Sequence, residues 1–303
     1  MLALEMRPSS LEELVGQEPI KKILAKAVEE RKIPQTMLFA GPHGVGKTST
    51  ARIIADIINA DLIEIDVASN RGIESAHKLV ELTNFVPQSD NVVIILDECH
   101  MMTREAFNAL LKLLEEPPTG YYFILVTTDS TKMPKTILSR CYIFRFQKLG
   151  KDLINAELKR VVDKLGKGVD DDILNIIAES CDGSLRDAFN LLDQILLYGN
   201  SLDINDIQRY FGMASKEEIK KLFHILKHKD VNELIAYVDR LHAQGVNGLK
   251  FSYQILEILE GNLTTTKRIY LYKMICDNIL KYEYATDDKV FMKRLFLEFM
   301  EVY

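Results

Sequence analysis

The sequence predicts an α/β module, a parallel sheet with helices on both faces, followed by two all-helical domains. Three observations lead there. Short runs of β-forming apolar residues alternate with helical patterns up to about residue 150. A G-x-x-x-x-G-K-[ST] loop joins the first of those runs to the helix after it. Beyond residue 150 there is no convincing strand, only helices broken by "GKG" at 166–168, "CDGS" at 181–184, "YGNS" at 198–201 and "GMAS" at 212–215.

Taken in order, residues 10–32 read as a capped turn and then an amphipathic helix, with Ile20, Ile23, Leu24 and Val28 as its apolar stripe. "MLFA" from 37 is the first strand, "GPHGVGKT" the loop, and "TSTARIIADIINA" the helix that follows. "LIEIDV" from 62, "VVIIL" from 92, "YYFILVTT" from 121 and "YIFRF" from 142 supply the other strands. Residues 151–212 read as a small helical domain and 213–303 as a second bundle.

With 303 residues and 47% apolar content the chain can bury a core in each of two or three domains. A net charge of −6 argues against a free-standing nucleic-acid binder, but allows a few cations on one face. Cys99, Cys141, Cys181 and Cys276 are far apart and form no C-x-x-C pair, which points to a reducing compartment and to no zinc. No apolar run is long enough to span a membrane and the N-terminus carries no leader pattern, so a cytoplasmic protein without membrane contact is expected.

The loop runs from Gly41 through Pro42, His43, Gly44, Val45, Gly46 and Lys47 to Thr48, with Ser49 opening the helix. Its amides and the helix N-terminus make a cradle for phosphate. Lys47 would reach the β- and γ-phosphates, and Thr48 would coordinate Mg²⁺. Asp97 and Glu98 close the strand "VVIIL". Asp97 would complete the Mg²⁺ shell and Glu98 would orient a water for attack on ATP. Thr128 either simply ends its strand or hydrogen-bonds that water. Arg186 sits in the first turn of a helix capped by Ser184 and Asp187, where the dipole disfavours a cation by a few tenths of a kcal/mol, roughly. The phosphates of ATP would compensate it. Arg140 is either an exposed loop residue or an arginine finger given in trans, an effect worth about 10³–10⁵ in rate.

With "RPSSLEELVGQEPI", "IEIDVASNRGI", "LDECHMMTREAFNALLKLLEEPP", "TTDSTKMPKTILSRC" and "GSLRDAFNLLDQ", the chain resembles the clamp-loader AAA+ ATPases of the bacterial DNA polymerase III gamma/tau kind along nearly its whole length. The resemblance implies an AAA+ ATPase module over residues 1–148, a lid over 149–212 and an oligomerising collar over 213–303. It implies Thr128 as sensor 1, Arg140 as the trans finger and Arg186 as sensor 2, and adds Arg7 and Val15 to the nucleotide contacts. The partners it implies are a sliding clamp, primer–template DNA and other loader subunits in a pentamer. Ser69, Asn70, Arg71, Gly72, Thr103 and Arg104 would meet the DNA backbone, unless they are helix caps and exposed arginines. Apolar residues near 76–90 would grip the clamp.

Three departures stand out. "IINADLIEIDV" leaves no room for the four-cysteine zinc module usual in gamma/tau proteins. The chain stops at Tyr303 without a tau-like extension, as expected of a minimal bacterial or phage-encoded loader. Met6 stands where an aromatic residue normally precedes the Arg-Pro pair near the adenine. Among rival readings, a DExH helicase would need a second RecA-like domain where residues 151–303 offer only helices. A hexameric branch-migration or helicase-loading motor would lack the "SRC" context. A non-hydrolysing scaffold subunit would be expected to lose the Lys47, Thr48, Asp97 and Glu98 that are intact here.

Overall fold

The computed structural model describes all residues except 70, 71, 84–89, 199–203, 262, 264, 285, 286 and 303. The chain divides into two compact units, Met1–Leu197 and Tyr198–Tyr303.

The first unit opens with the short helix α1 (Leu2–Glu5) and α2 (Glu18–Glu29), followed by β1 (Thr36–Ala40) and α3 (Lys47–Ile57). Next come β2 (Asp61–Asp66), α4 (Ile73–Leu82), β3 (Val92–Asp97), α5 (Arg104–Glu115) and β4 (Tyr121–Thr127). After α6 (Lys135–Leu138) and β5 (Tyr142–Arg145) the chain is helical: α7 (Lys151–Lys164), α8 (Asp171–Ser180) and α9 (Leu185–Tyr198). The five strands pair in parallel in the order β2-β3-β4-β1-β5.

Because successive strand residues point to opposite faces, each central strand feeds two cores. Leu38, Ile94, Leu96, Phe123 and Leu125 pack with Ala76 and Leu79 of α4 and Ala106, Phe107 and Leu110 of α5. Met37, Phe39, Val93, Ile95, Ile124 and Val126 pack on the other face with Ile20 and Leu24 of α2 and Ala51, Ile53 and Ile54 of α3. This double burial is why β1, β3 and β4 read as unbroken apolar runs. On α2 only Ile20 and Leu24 are buried, whereas Ile23, expected in the stripe, is 57% exposed. The helix meets the sheet along a seam narrower than its apolar face.

The second unit holds α10 (Ile204–Tyr210), α11 (Lys216–His228), α12 (Val231–Ala243), α13 (Gly248–Glu260), α14 (Thr266–Lys281) and α15 (Asp288–Val302). Its core gathers Leu222, Val238, Leu241, Phe251, Ile255, Ile275, Leu295, Phe296 and Phe299. The division between the two units falls after Leu197. The residues just after α10 are tied to the bundle: the Asn247 amide donates to the Gly212 carbonyl at 2.8 Å, and Lys250 Nζ to the Phe211 carbonyl at 2.7 Å. No described helix is long and apolar enough to cross a membrane.

Candidate functional site

In a parallel sheet of this kind, ligands bind beyond the carboxyl ends of the strands. Here β1 delivers the phosphate loop, β3 the acidic pair and β4 Thr128, all on that edge. A cleft of about 160 Å³, open to solvent, lies over it within the first unit. It is lined by Met6, Arg7, Val15, His43–Ser49, Asp97, Glu98, Leu149, Leu185, Arg186 and Phe189, among others.

The loop's backbone is one that glycine suits. Gly44 has φ 67°, and a β-carbon there would collide with Ser184 Oγ. Gly46, at φ 100°, starts α3 and lies against Leu14, whose Cδ1 would be 2.7 Å from an added β-carbon. Lys47 is 6% exposed and donates to the carbonyls of Gly41 and Pro42 at 2.7 and 2.5 Å. Desolvation holds its ammonium pKa down to about 8. Arg186 adds to the shift, while Glu98 and Asp97 oppose it. Thr48 Oγ1 donates to Asp97 Oδ2 at 3.0 Å, so two hard oxygens sit side by side, the donor set that suits Mg²⁺.

Glu98 adopts the left-handed conformation at φ 51°, which turns the chain abruptly out of β3. Thr128 Oγ1 donates to its Oε2 at 3.0 Å, and His43 Nδ1 lies 3.6 Å from its Oε1. The structure therefore brings Glu98 and Thr128 together from neighbouring strands. His100, which neither motif nor spacing singles out, is also here, with Nδ1 3.3 Å from Glu98 Oε2. Its letter stood in "DECH", but nothing in spacing or periodicity distinguishes a ring that folds back on the acid from one that points away.

Arg186 enters from the first turn of α9. The Ser184 hydroxyl accepts from the Asp187 amide at 3.3 Å, and the Leu185 amide donates to the Gly44 carbonyl at 3.0 Å. The start of α9 is thus bonded to the phosphate loop itself. Arg186 is exposed and makes no ion pair with the described residues. Arg7 is shifted down by desolvation and by the nearby charges of Arg52 and Arg186. Arg7, Lys47 and Arg186 border one cleft, a concentration of positive charge suited to a polyanion.

Arg140 does not line the cleft. Its Nε and Nη2 meet Glu115 Oε2 at 2.9 and 2.7 Å, and its Nη1 donates to the Thr136 carbonyl at 2.9 Å. Of the residues expected near DNA, Thr103 caps α5 by accepting from the Ala106 amide at 3.2 Å, and Arg104 is exposed in the first turn. Ser69 donates to Asp66 Oδ2 at 2.8 Å, and Gly72 caps α4. Asn70 and Arg71 lie outside the described residues, as do residues 84–89 of the stretch expected to grip a clamp. No group of three or more metal-ligating side chains occurs among the described residues.

Comparison with known proteins gives this geometry its family. The family described as DNA polymerase III, delta subunit, matches residues 59–150. A second, the ATPase lid domain of the DNA polymerase III clamp loader subunit, matches residues 153–201. DNA polymerase III subunit tau of Bacillus subtilis is 37% identical over 293 residues, covering 88% of this chain and 51% of that protein. DNA polymerase III subunit gamma/tau of Mycoplasma genitalium is 34% identical, covering 88% and 48%. DNA polymerase III subunit gamma of Buchnera aphidicola is 32% identical over 285 residues, covering 86% and 78%. The chain spans about half the length of the first two. Among solved structures, the RuvB Holliday junction branch migration motor of Thermotoga maritima shares the fold, with TM-score 0.57 and 21% identity over 73% of this chain and 79% of that one. The fold is therefore shared with a branch-migration motor, and sequence identity sets the kinship: this chain belongs to the DNA polymerase III gamma/tau family of clamp-loader AAA+ proteins.

Proposed function

We propose that the chain is an ATP-hydrolysing subunit of a replication clamp loader, which opens a sliding clamp and places it on primer–template DNA. The observation that carries this reading is the convergence of Lys47, Thr48, Asp97, Glu98 and Arg186 on one cleft, with Thr128 bonded to the acid. ATP would lie with its phosphates on the loop, and Lys47 would exchange the Gly41 and Pro42 carbonyls for phosphate oxygens. Mg²⁺ held by Thr48 and Asp97 would neutralise charge on the phosphates. Glu98, steadied by Thr128, would take the proton of the attacking water. Arg186 would bind the phosphates from the lid side. Arg7, Met6 and Val15 line the same cleft, as nucleotide-binding residues would.

Arg140, outside this cleft, would act on the ATP of a neighbouring subunit in a pentamer joined through the collar. Module, lid and collar then correspond to residues 1–148, 149–212 and 213–303. Backbone contact with DNA is assigned to Ser69–Gly72 and to Thr103 and Arg104 at the starts of α4 and α5. The setting is the cytoplasm, and the reading calls for neither zinc nor a polymerase site.

The test is ATP turnover by the assembled complex, with primer–template and clamp added singly and together. Stimulation by the pair well beyond the product of the separate effects is expected. Turnover indifferent to both would reject the loader reading while leaving an ATPase.

A further inference from the structure

Glu98 is reached by a side chain with no part in the mechanism so far. His100 lies in the 3₁₀ turn Cys99–Met101, and its side chain is only 10% exposed. Its Nδ1 is 3.3 Å from Glu98 Oε2 and 3.1 Å from Thr127 Oγ1. An ionised carboxylate can only accept a hydrogen bond. The Thr127 hydroxyl, on a fully buried residue, donates to the Asp129 carbonyl at 3.2 Å and accepts from the Asp129 amide at 3.0 Å. What it has left for the ring is a lone pair. With the Thr127 proton given to the Asp129 carbonyl, both neighbours of Nδ1 are acceptors, and each contact becomes a hydrogen bond only with a proton on Nδ1.

We propose that His100 is a positioning residue for the Glu98 base, its Nδ1–H bridging the carboxylate to Thr127 at the end of β4. Without the bridge, Glu98 keeps the Thr128 hydroxyl at 3.0 Å and the looser contact with His43, which is 69% exposed. The carboxylate is then free to swing toward solvent. A base displaced by about 1 Å loses about 10²-fold in rate with substrate affinity untouched. The proposal rests on Glu98 being the base.

The isosteres of histidine separate this role from packing. Asparagine carries an amide N–H near the place of Nδ1, whereas glutamine carries its own near Nε2. In the assembled complex with ATP and Mg²⁺, His100→Asn and His100→Gln should both bind ATP as the native protein does. His100→Gln should lower single-turnover hydrolysis about 10–100-fold, and His100→Asn should recover it to within about threefold. Equal losses in the two variants, or none in either, would overturn the proposal. Nitrogen NMR of the native histidines, with the His100 signals assigned by their absence from His100→Asn, is a second measurement that needs no active variant. A proton on Nδ1 is expected, and an Nε2–H tautomer would overturn the bridge. Glu98→Gln serves as the control. If it hydrolyses ATP normally, the base reading fails and this proposal with it. If it binds ATP without turnover while His100→Asn and His100→Gln behave alike, only the His100 bridge fails.

Discussion

Lys47 shows how the site keeps its charge in reserve. It is nearly buried, two carbonyls hold its ammonium, and its pKa stands at about 8 against an ordinary 10.5. A folded value below the unfolded one means that the unfolded chain binds more protons between those limits. This group's contribution to stability therefore rises with pH across the window from about 8 to 10.5. Phosphate reverses the preference, because an anion at the ammonium favours the charged form. Binding of ATP near pH 8 should accordingly take up a proton, seen by calorimetry in buffers of different ionisation enthalpy. Binding with no uptake would contradict the placement of Lys47 on the phosphates, and Lys47→Met should lose the binding itself. At this scale the sequence was informative where chemistry demands fixed spacing, as from Gly41 to Thr48. It was silent where the contact spans strands, as for Thr128 on Glu98, or depends on a rotamer, as for His100.

Among the elements, α5 and the turn after α6 hold an arginine that lies outside the cleft. Arg140 follows α6 and is held against Glu115 at the last turn of α5, with all three guanidinium nitrogens engaged. As the trans-acting arginine of the proposed assembly, a side chain fixed in this way would present a set geometry to a neighbour. Arg140→Ala should leave ATP affinity intact and abolish the clamp- and DNA-stimulated rate. In mixed assemblies the loss should fall on the adjacent wild-type site, and a stimulated rate undiminished in the all-variant complex would refute the trans role. The strands themselves were readable because β1, β3 and β4 are buried on both faces and so are apolar throughout. Ile23 was misread because periodicity marks which residues of a helix are apolar, whereas the width of the seam is set by the sheet beneath.

For the whole molecule, each unit has a core of its own, Phe39 and Phe123 in one, Phe251, Phe296 and Phe299 in the other. Nucleotide would bind only Met1–Leu197. At a hundredfold excess over Kd the unit should gain about 2.7 kcal/mol. Scanning calorimetry with ATP and Mg²⁺ should then move one transition upward and leave the other where it was; a single transition shifting as a whole would contradict independent cores. The helical character of residues 151–303 was plain from the sequence, but the division at Leu197 was not, because a helical pattern does not say which helices share a core.

The contact between Gly44 and the start of α9 has a mechanical consequence. The Leu185 amide is fastened to the Gly44 carbonyl, and Ser184 fills the space a side chain would take. Whatever pulls the loop into shape around phosphates must therefore tow the helix with it, and whatever tilts the helix must bend the loop. Such a coupling needs no relay of intermediate side chains. Occupancy and lid attitude become two readings of a single displacement, like a latch and the handle that throws it.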